Sequence, residues 1–220
     1  MNFIHYPMGN FEKKTAEFLL QIKAIKLQPS NPFTWASGWK SPIYCDNRKT
    51  LSFPEVRSYI RDSFVNIIKD LYPQADMIAG VATGAIAHGA LVADKLELPF
   101  IYVRSGVKEH GLGNQIEGYF EKGQKVVVIE DLISTGGSSL NAVTALREAG
   151  CDVLGMVAIF TYEFKKAADA FTSGKCKLNT LSNYSVLVET AVKTGFIGQA
   201  EEDTLKNWRL DPANWRAKSL

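Results

Sequence analysis

The sequence of 220 residues is poor in cysteine. Cys45, Cys151 and Cys176 are odd in number and widely spaced, a pattern that fits neither a disulfide framework nor a zinc cluster. Such isolated cysteines are typical of a reducing compartment, so we expect a cytoplasmic protein. The N-terminal residues also lack the basic and apolar regions of a secretory signal peptide.

Long hydrophobic runs and an excess of one charge are lacking as well. The apolar runs are short, such as residues 126–129, whereas a helix that crosses a bilayer needs roughly 20 apolar residues. The 25 basic and 23 acidic residues leave a net charge of +2, so no overall field attracts the chain to nucleic acid or to an anionic membrane. We therefore expect neither as a partner, and any anion site must be built locally.

What is present is the composition of one globular domain, with 46% hydrophobic and 22% charged residues. Apolar residues at helical spacing predict helices at 11–26 and 54–72. Short apolar runs then alternate with helical patterns, which is typical of βαβ units in a parallel sheet covered on both faces. The predicted strands are 77–82, 99–103, 125–129, 153–160 and 186–188.

The most informative segment follows the third predicted strand, where Glu130 and Asp131 precede a run of small hydroxyl and glycine residues at 134–139. Gly136 and Gly137 let backbone N–H groups approach a phosphate, and a helix that begins there adds partial positive charge. The two carboxylates suit ribose hydroxyls, which donate hydrogen bonds, or a cation. Neither a Walker A loop nor a dinucleotide-binding fingerprint is present. The alternative is an ordinary surface turn before a helix, but the paired acids favour a sugar-phosphate site.

A second cluster of charge lies in a glycine-rich loop after the second predicted strand. Arg104, Lys108 and His110 bring a guanidinium, an ammonium and an imidazole within seven positions. This set suits a polyanion such as pyrophosphate, with Arg104 bidentate, Lys108 as a point charge and His110 able to donate a proton. The alternative is a solvated loop with ordinary surface charges. His88 lies among small residues of a predicted helix, and we expect it to be structural.

Residues 129–138 resemble the signature with which type I phosphoribosyltransferases bind phosphoribosyl pyrophosphate (PRPP). The Arg-x-x-x-Lys-x-His-Gly pattern from Arg104 and the Ser-Gly-x-x-Ser-Pro pattern at 37–42 resemble the orotate-using branch of that family. The resemblance implies an α/β fold with a central, mostly parallel twisted sheet flanked by helices. It also implies one domain over 1–220, with a small N-terminal hood at about 1–50, a core at about 75–190 and a C-terminal tail docked on the core or on a partner subunit.

The resemblance further implies a set of site residues. Arg104, Lys108 and His110 are the expected catalytic residues, on a loop that reaches across a homodimer into the neighbouring site, and Ser134 is expected to contact orotate. Mg²⁺ is the implied cofactor, held mainly by substrate and water rather than by protein ligands. The expected PRPP-binding residues are Arg104, Lys108, His110, Glu130, Asp131, Leu132, Ile133, Ser134, Thr135, Gly136, Gly137 and Ser138.

The implied reaction transfers the phosphoribosyl group from PRPP to orotate, giving orotidine 5′-phosphate and pyrophosphate in pyrimidine (UMP) biosynthesis. One alternative is a phosphoribosyltransferase for another base, which the loop and the 37–42 segment fit poorly. The other is a non-catalytic regulator that senses PRPP, but the balanced charge predicts no nucleic-acid-binding surface. Many family members carry cations where this chain has Ala36, Gly84, Ser105 and Tyr162, and Lys40 and Arg48 are the candidates to replace them.

Overall fold

The structure is a computed structural model that describes residues 11–35, 38–104, 106 and 115–215. Its α-helices are α1 (Phe11–Gln21), α2 (Pro54–Leu71), α3 (Ile86–Leu96), α4 (Gly137–Glu148), α5 (Lys165–Ser173), α6 (Tyr184–Lys193) and α7 (Gln199–Leu210), and Asn47–Ser52 forms a 3₁₀ helix. Its strands are β1 (Ile25–Leu27), β2 (Phe33–Thr34), β3 (Lys40–Ser41), β4 (Ile43–Cys45), β5 (Met77–Val81), β6 (Phe100–Val103), β7 (Ile116–Glu117), β8 (Lys125–Ile133), β9 (Asp152–Thr161) and β10 (Leu178–Asn183).

Six of these strands form the central sheet, in the order β10-β9-β8-β5-β6-β7. Strands β10, β9, β8, β5 and β6 run parallel to their neighbours, and β7 is antiparallel to β6. From β5 the chain first adds β6 on one side and then β8 on the other, so the strand order reverses at β5. Open α/β sheets bind ligands at the carboxyl ends of the strands near such a reversal. The predicted α/β class with a mostly parallel sheet is confirmed.

Both faces of the sheet are buried, but under different helices. Val127 and Ile129 belong to a core cluster with residues of α1, α2, α6 and α7, whereas Val126 and Val128 pack with residues of α4 and α5. Because alternate residues of β8 face the two clusters, every position from 126 to 129 must be apolar. None of the helices in the part of the chain that the structure describes is long and apolar enough to cross a membrane.

The first predicted helix is too long. Instead of continuing to residue 26, α1 ends at Gln21, and Ile25 begins strand β1. Lys23 has a φ of 55°, in the left-handed region, which a right-handed helix cannot accommodate. The apolar spacing of Ile22 and Ile25 therefore reflects the change of direction into β1 rather than another helical turn.

The fifth strand was predicted in the wrong place. Residues 186–188 lie inside helix α6, where Leu187, Val188 and Ala191 are buried on one face. The side-chain oxygen of Asn183 accepts a hydrogen bond from the N–H of Val186 and caps this helix. Three consecutive apolar residues look alike in a short strand and on a buried helix face, so the pattern alone was ambiguous. The strand at this edge is β10, which immediately precedes α6.

The third strand was predicted too short. β8 extends to Ile133 because β9 offers it partners that far, with Leu132 opposite Phe160 and Ile133 opposite Thr161. On its other side, pairing with β5 stops at Ile129. Glu130 and Asp131 therefore lie within the strand, at the point where it passes beyond β5.

The described part of the predicted hood contains two small antiparallel pairs, β1 with β4 and β2 with β3. The indole N–H of Trp35 donates to the carbonyl of Ile43 (3.2 Å). The indole N–H of Trp208, on helix α7, donates to the carbonyl of Lys40 (3.2 Å). Trp208 is fully buried and its ring contacts Trp35, Tyr162, Phe164 and Tyr184. Helix α7 thus connects the β2–β3 hairpin to the core of the same chain.

Candidate active site

Glu130 and Asp131 are neighbours in sequence but have different environments. Glu130 is buried, and its carboxylate accepts hydrogen bonds from the N–H of Asp131 (2.8 Å) and from the hydroxyl of Ser139 in α4 (2.8 Å). Burial and, next, the adjacent charge of Asp131 raise the pKa of Glu130 to about 8. Glu130 therefore connects β8 to the first turn of α4, whereas the partly buried Asp131 directs its carboxylate elsewhere.

The carboxylate of Asp131 lies against Gly84, in the turn between β5 and α3. A Cβ atom at position 84 would overlap this carboxylate, so the close approach requires glycine. The peptide bond between Ala82 and Thr83 in the same turn is cis. In the sequence alone, Gly84 stands out only as a position where many family members carry a cation. The signal that could have identified this turn as part of a site was its run of small residues directly after a buried strand, as at 134–139.

The turn after β8 has the features expected of a phosphate site. Gly136 has a φ of 82°, and a Cβ there would lie 3.0 Å from the Phe171 ring. Helix α4 begins at Gly137, which is exposed, and no side chain of the described residues caps it. Its first N–H groups therefore lack side-chain partners and favour an anion. Ile133 is buried in the apolar core, so only its backbone can contribute to such a site.

Arg104 follows β6 at the same edge of the sheet. Its N–H donates to the carbonyl of Gln115 (2.9 Å), and the amide side chain of Gln115 donates to the carbonyl of Arg104 (2.8 Å). The guanidinium lies 3.5 Å from the carboxylate of Glu117 in β7. Arg104 is thus held at the base of the predicted catalytic loop. Lys108 and His110 lie outside the described residues, and their roles stay predictions.

The 3₁₀ helix connects the N-terminal part of the chain to Asp131. The side-chain amide of Asn47 donates to the carbonyl of Asp131 (2.6 Å), and the thiol of Cys45 donates to Oδ1 of Asn47 (3.3 Å). Burial, together with the charges of Asp131 and Asp46, raises the pKa of Cys45. Asn47 was missed in the sequence analysis, because nothing local distinguishes an asparagine that binds a strand 84 residues away.

The two candidate replacement cations have different surroundings. The ammonium of Lys40 donates to the hydroxyl of Thr34 (2.8 Å) within the β2–β3 hairpin. Arg48 pairs with Asp46 at 2.7 Å, and this hydrogen bond raises the pKa of Arg48, with smaller contributions from the charges of Asp46 and Asp131. Of the two, Arg48 is therefore placed for its charge to act on Asp131. Ala36 and Ser105 lie outside the described residues.

Comparison with known proteins identifies the family. Residues 52–195 match the family model for the phosphoribosyl transferase domain. The orotate phosphoribosyltransferases of Phocaeicola vulgatus and Bacteroides thetaiotaomicron are 60% and 59% identical to this chain over 210 residues, which is 96% of this chain and 99% of each relative. The chain belongs to the orotate phosphoribosyltransferase family.

Solved structures agree with this assignment. The orotate phosphoribosyltransferase of Aeropyrum pernix superimposes with a TM-score of 0.73 at 27% identity, covering 83% of this chain and 99% of that one. The UMP synthase of Leishmania donovani, at 24% identity, gives a TM-score of 0.74 over 90% of this chain and 42% of that one, and supports the fold. The chain is therefore an enzyme of the orotate phosphoribosyltransferase family, and its fold is that of the type I phosphoribosyltransferases.

Proposed function

We infer that this enzyme transfers the 5-phosphoribosyl group of PRPP to orotate, forming orotidine 5′-phosphate and pyrophosphate for pyrimidine biosynthesis. The observation that carries the proposal is the position of Asp131, at the carboxyl end of β8 between the Gly84 turn and the turn at 134–136. A carboxylate that suits ribose hydroxyls lies beside a turn that suits a phosphate, and these two features match two parts of PRPP. The 60% identity to an enzyme named for orotate supports the acceptor.

Each part of the donor has proposed partners. Residues 134–138 hold the 5′-phosphate through backbone N–H groups and hydroxyls, to which Leu132 and Ile133 add main-chain contacts. Asp131 holds the ribose hydroxyls, and Glu130 supports it by bracing β8 against the first turn of α4. Ser134, at the start of the turn, contacts orotate. Arg104, Lys108 and His110 bind the pyrophosphate.

The chemistry requires charge stabilisation more than a strong base. Breaking the bond between the ribose anomeric carbon and the pyrophosphate oxygen places positive charge on the ribose ring, as in other glycosyl transfers. Orotate attacks through a ring nitrogen that first releases its proton to solvent, so that the transfer step itself needs no strong base. Arg104 and Lys108 stabilise the departing pyrophosphate, and His110 donates a proton to it. The remaining contribution of the protein is to position donor and acceptor and to exclude water.

Magnesium is part of the proposal. In the described ranges, no group of three or more His, Cys, Asp or Glu side chains could hold a metal ion. Asp131 offers a carboxylate, a hard oxygen ligand of the kind that Mg²⁺ prefers, and the ion keeps several waters. These residues fit a magnesium ion that would be held mainly by substrate oxygens and water, with Asp131 as the carboxylate available to it. When bound, Mg²⁺ neutralises charge on the pyrophosphate.

We also propose that the whole chain forms a single catalytic domain that acts as a cytoplasmic homodimer. The base of the loop, at Arg104 and Gln115, lies beside the edge strand β7, and from this side of the sheet the loop would reach a neighbouring site. The three free cysteines, Cys45, Cys151 and Cys176, are consistent with a reducing compartment.

Release of pyrophosphate from PRPP, measured with and without orotate, tests the proposal. We expect release that depends on orotate and is absent with adenine, hypoxanthine or uracil. Release with one of these other bases instead would establish a different acceptor. Binding of PRPP without release in the presence of any base would favour the regulatory alternative.

A further inference from the structure

Three polar side chains are fully buried between the hood, helix α3 and strand β8. Asn47, Thr50 and His88 are each at most 1% exposed. Nε2 of His88 lies 3.1 Å from the hydroxyl oxygen of Thr50. The Thr50 hydroxyl donates to the carbonyl of Asn47 (2.6 Å), and the Asn47 amide donates to the carbonyl of Asp131 (2.6 Å). These hydrogen bonds link α3 to the main chain of Asp131 through both the main chain and the side chain of Asn47.

The hydrogen bonds determine the form of His88. The Thr50 hydroxyl has one hydrogen, and the carbonyl of Asn47 receives it. Thr50 can therefore only accept from His88, so Nε2 of His88 carries the hydrogen and the ring is neutral with a bare Nδ1. Nδ1 has no hydrogen-bond partner within the described structure, and burial lowers the pKa of His88 to about 4. Both observations agree with a neutral ring.

The series ends where strand β8 needs support. Pairing of β8 with β5 stops at Ile129, while Asp131 lies two residues further along. The Asn47 amide donates to the main-chain carbonyl of Asp131, just beyond the last residue of β8 that pairs with β5. The side-chain carboxylate of Asp131 lies against Gly84. Apolar residues would fill this space without the cost of burying three polar groups. The presence of Asn47, Thr50 and His88 is explained if the position of Asp131 depends on their hydrogen bonds.

We propose that Asn47 is a positioning residue for the PRPP site, with its main chain held by Thr50 and His88 and its side-chain amide acting through the main chain of Asp131. The inference rests on the proposed function, because it assumes that Asp131 binds the donor. The hood, which carries Asn47, and the donor site are then coupled: the backbone of Asp131 is held by a segment 84 residues earlier in the chain.

Calorimetric titration with PRPP alone, together with KM values for PRPP and orotate, tests the proposal on the full chain. We expect Asn47→Ala to weaken PRPP binding about 10-fold, the effect of losing one buried hydrogen bond, and to raise the KM for PRPP more than that for orotate. The matched control is Asn179→Ala. Asn179 is also a buried asparagine, whose amide donates to the Tyr72 hydroxyl (2.9 Å) in another part of the core. It should lower the melting temperature but leave PRPP affinity unchanged.

A pair of substitutions at Thr50 separates hydrogen bonding from packing. Thr50→Val keeps the shape and removes the hydroxyl, whereas Thr50→Ser keeps the hydroxyl and removes a methyl group. We expect Thr50→Val to weaken PRPP binding and Thr50→Ser to retain it. If both variants bind like the wild type, or if affinity follows the lost methyl group instead, the proposal is overturned. This pair decides the matter if Asn47→Ala fails to fold.

Failure of the inference can be told from failure of the proposed function. A wild-type enzyme that neither binds PRPP nor releases pyrophosphate with orotate would refute the function itself. A wild-type enzyme that does both, alongside an Asn47→Ala variant with unchanged PRPP affinity, would refute only the positioning role.

Discussion

The carboxylate of Asp131 occupies the space that a side chain at position 84 would need. Gly84→Ala must therefore displace this carboxylate, and we expect kcat/KM for PRPP to fall about 10²-fold, as for a misplaced catalytic geometry. Gly198→Ala is the matched control, because Gly198 has a φ of −77° and the nearest atom to an added Cβ is 3.8 Å away. Equal kinetics for the two variants would show that Asp131 does not need its present position.

Asp131→Asn tests the carboxylate itself. The substitution keeps the shape but weakens acceptance of hydrogen bonds from ribose hydroxyls, because a charged acceptor forms stronger bonds than a neutral one. We expect the KM for PRPP to rise about 10-fold while the melting temperature stays close to that of the wild type. Asp169→Asn, on the exposed face of α5, is the control. A large decrease in melting temperature, with normal kinetics for the protein that remains folded, would instead make Asp131 a structural residue.

Lys108→Ala tests the loop. Loss of one cation that stabilises the departing pyrophosphate should lower turnover about 10²-fold or more at saturating substrates. Lys122→Ala, in the turn before β8, removes a lysine of the same charge elsewhere. Near-normal turnover of the Lys108 variant would remove this residue from the chemistry.

Glu130→Gln tests the pH dependence of stability. The pKa of Glu130 is about 8 in the folded protein, above its usual 4.5, so the folded state binds this proton more tightly than the unfolded state does. The free energy of unfolding should therefore fall as pH rises from about 4.5 to about 8. Glu130→Gln removes this pH dependence, so the melting temperature of the variant relative to the wild type should rise over that range.

The same melting series on Glu148→Gln, an exposed residue at the end of α4, provides the control for Glu130. The difference in melting temperature between this variant and the wild type should stay constant over the pH series. A constant difference for Glu130→Gln as well would contradict the assignment of a raised pKa to Glu130.

Trp208 tests the contact between α7 and the hood. Because its side chain is fully buried, Trp208→Ala should lower the free energy of unfolding by about 3–5 kcal/mol. Trp208→Phe keeps a ring but leaves the carbonyl of Lys40 without its donor, and should cost about 1 kcal/mol from that bond. Urea unfolding measures both. Leu210→Ala, at an exposed position of the same helix, should change little, and a similar loss there would point to general fraying of α7.

Much of the fold follows from local patterns. The apolar run 126–129 predicts a strand buried on both faces, and the small residues after it predict the turn that precedes α4. The predictions failed where local signals were ambiguous or overridden. The left-handed backbone at Lys23 ended α1 early, and the apolar residues 186–188 proved to be a buried helix face.

The sequence by itself determined which chemical groups are present and in what order: two carboxylates, a hydroxyl and glycine turn, and a loop with three cationic side chains. Only the tertiary structure decided how these groups are divided. Glu130 turns inward to Ser139, Asp131 turns to Gly84, and the amide of Asn47 holds the main-chain carbonyl of Asp131. The physical reason is that strand pairing, close packing and buried hydrogen bonds join residues far apart in the chain, and no local pattern records such partners.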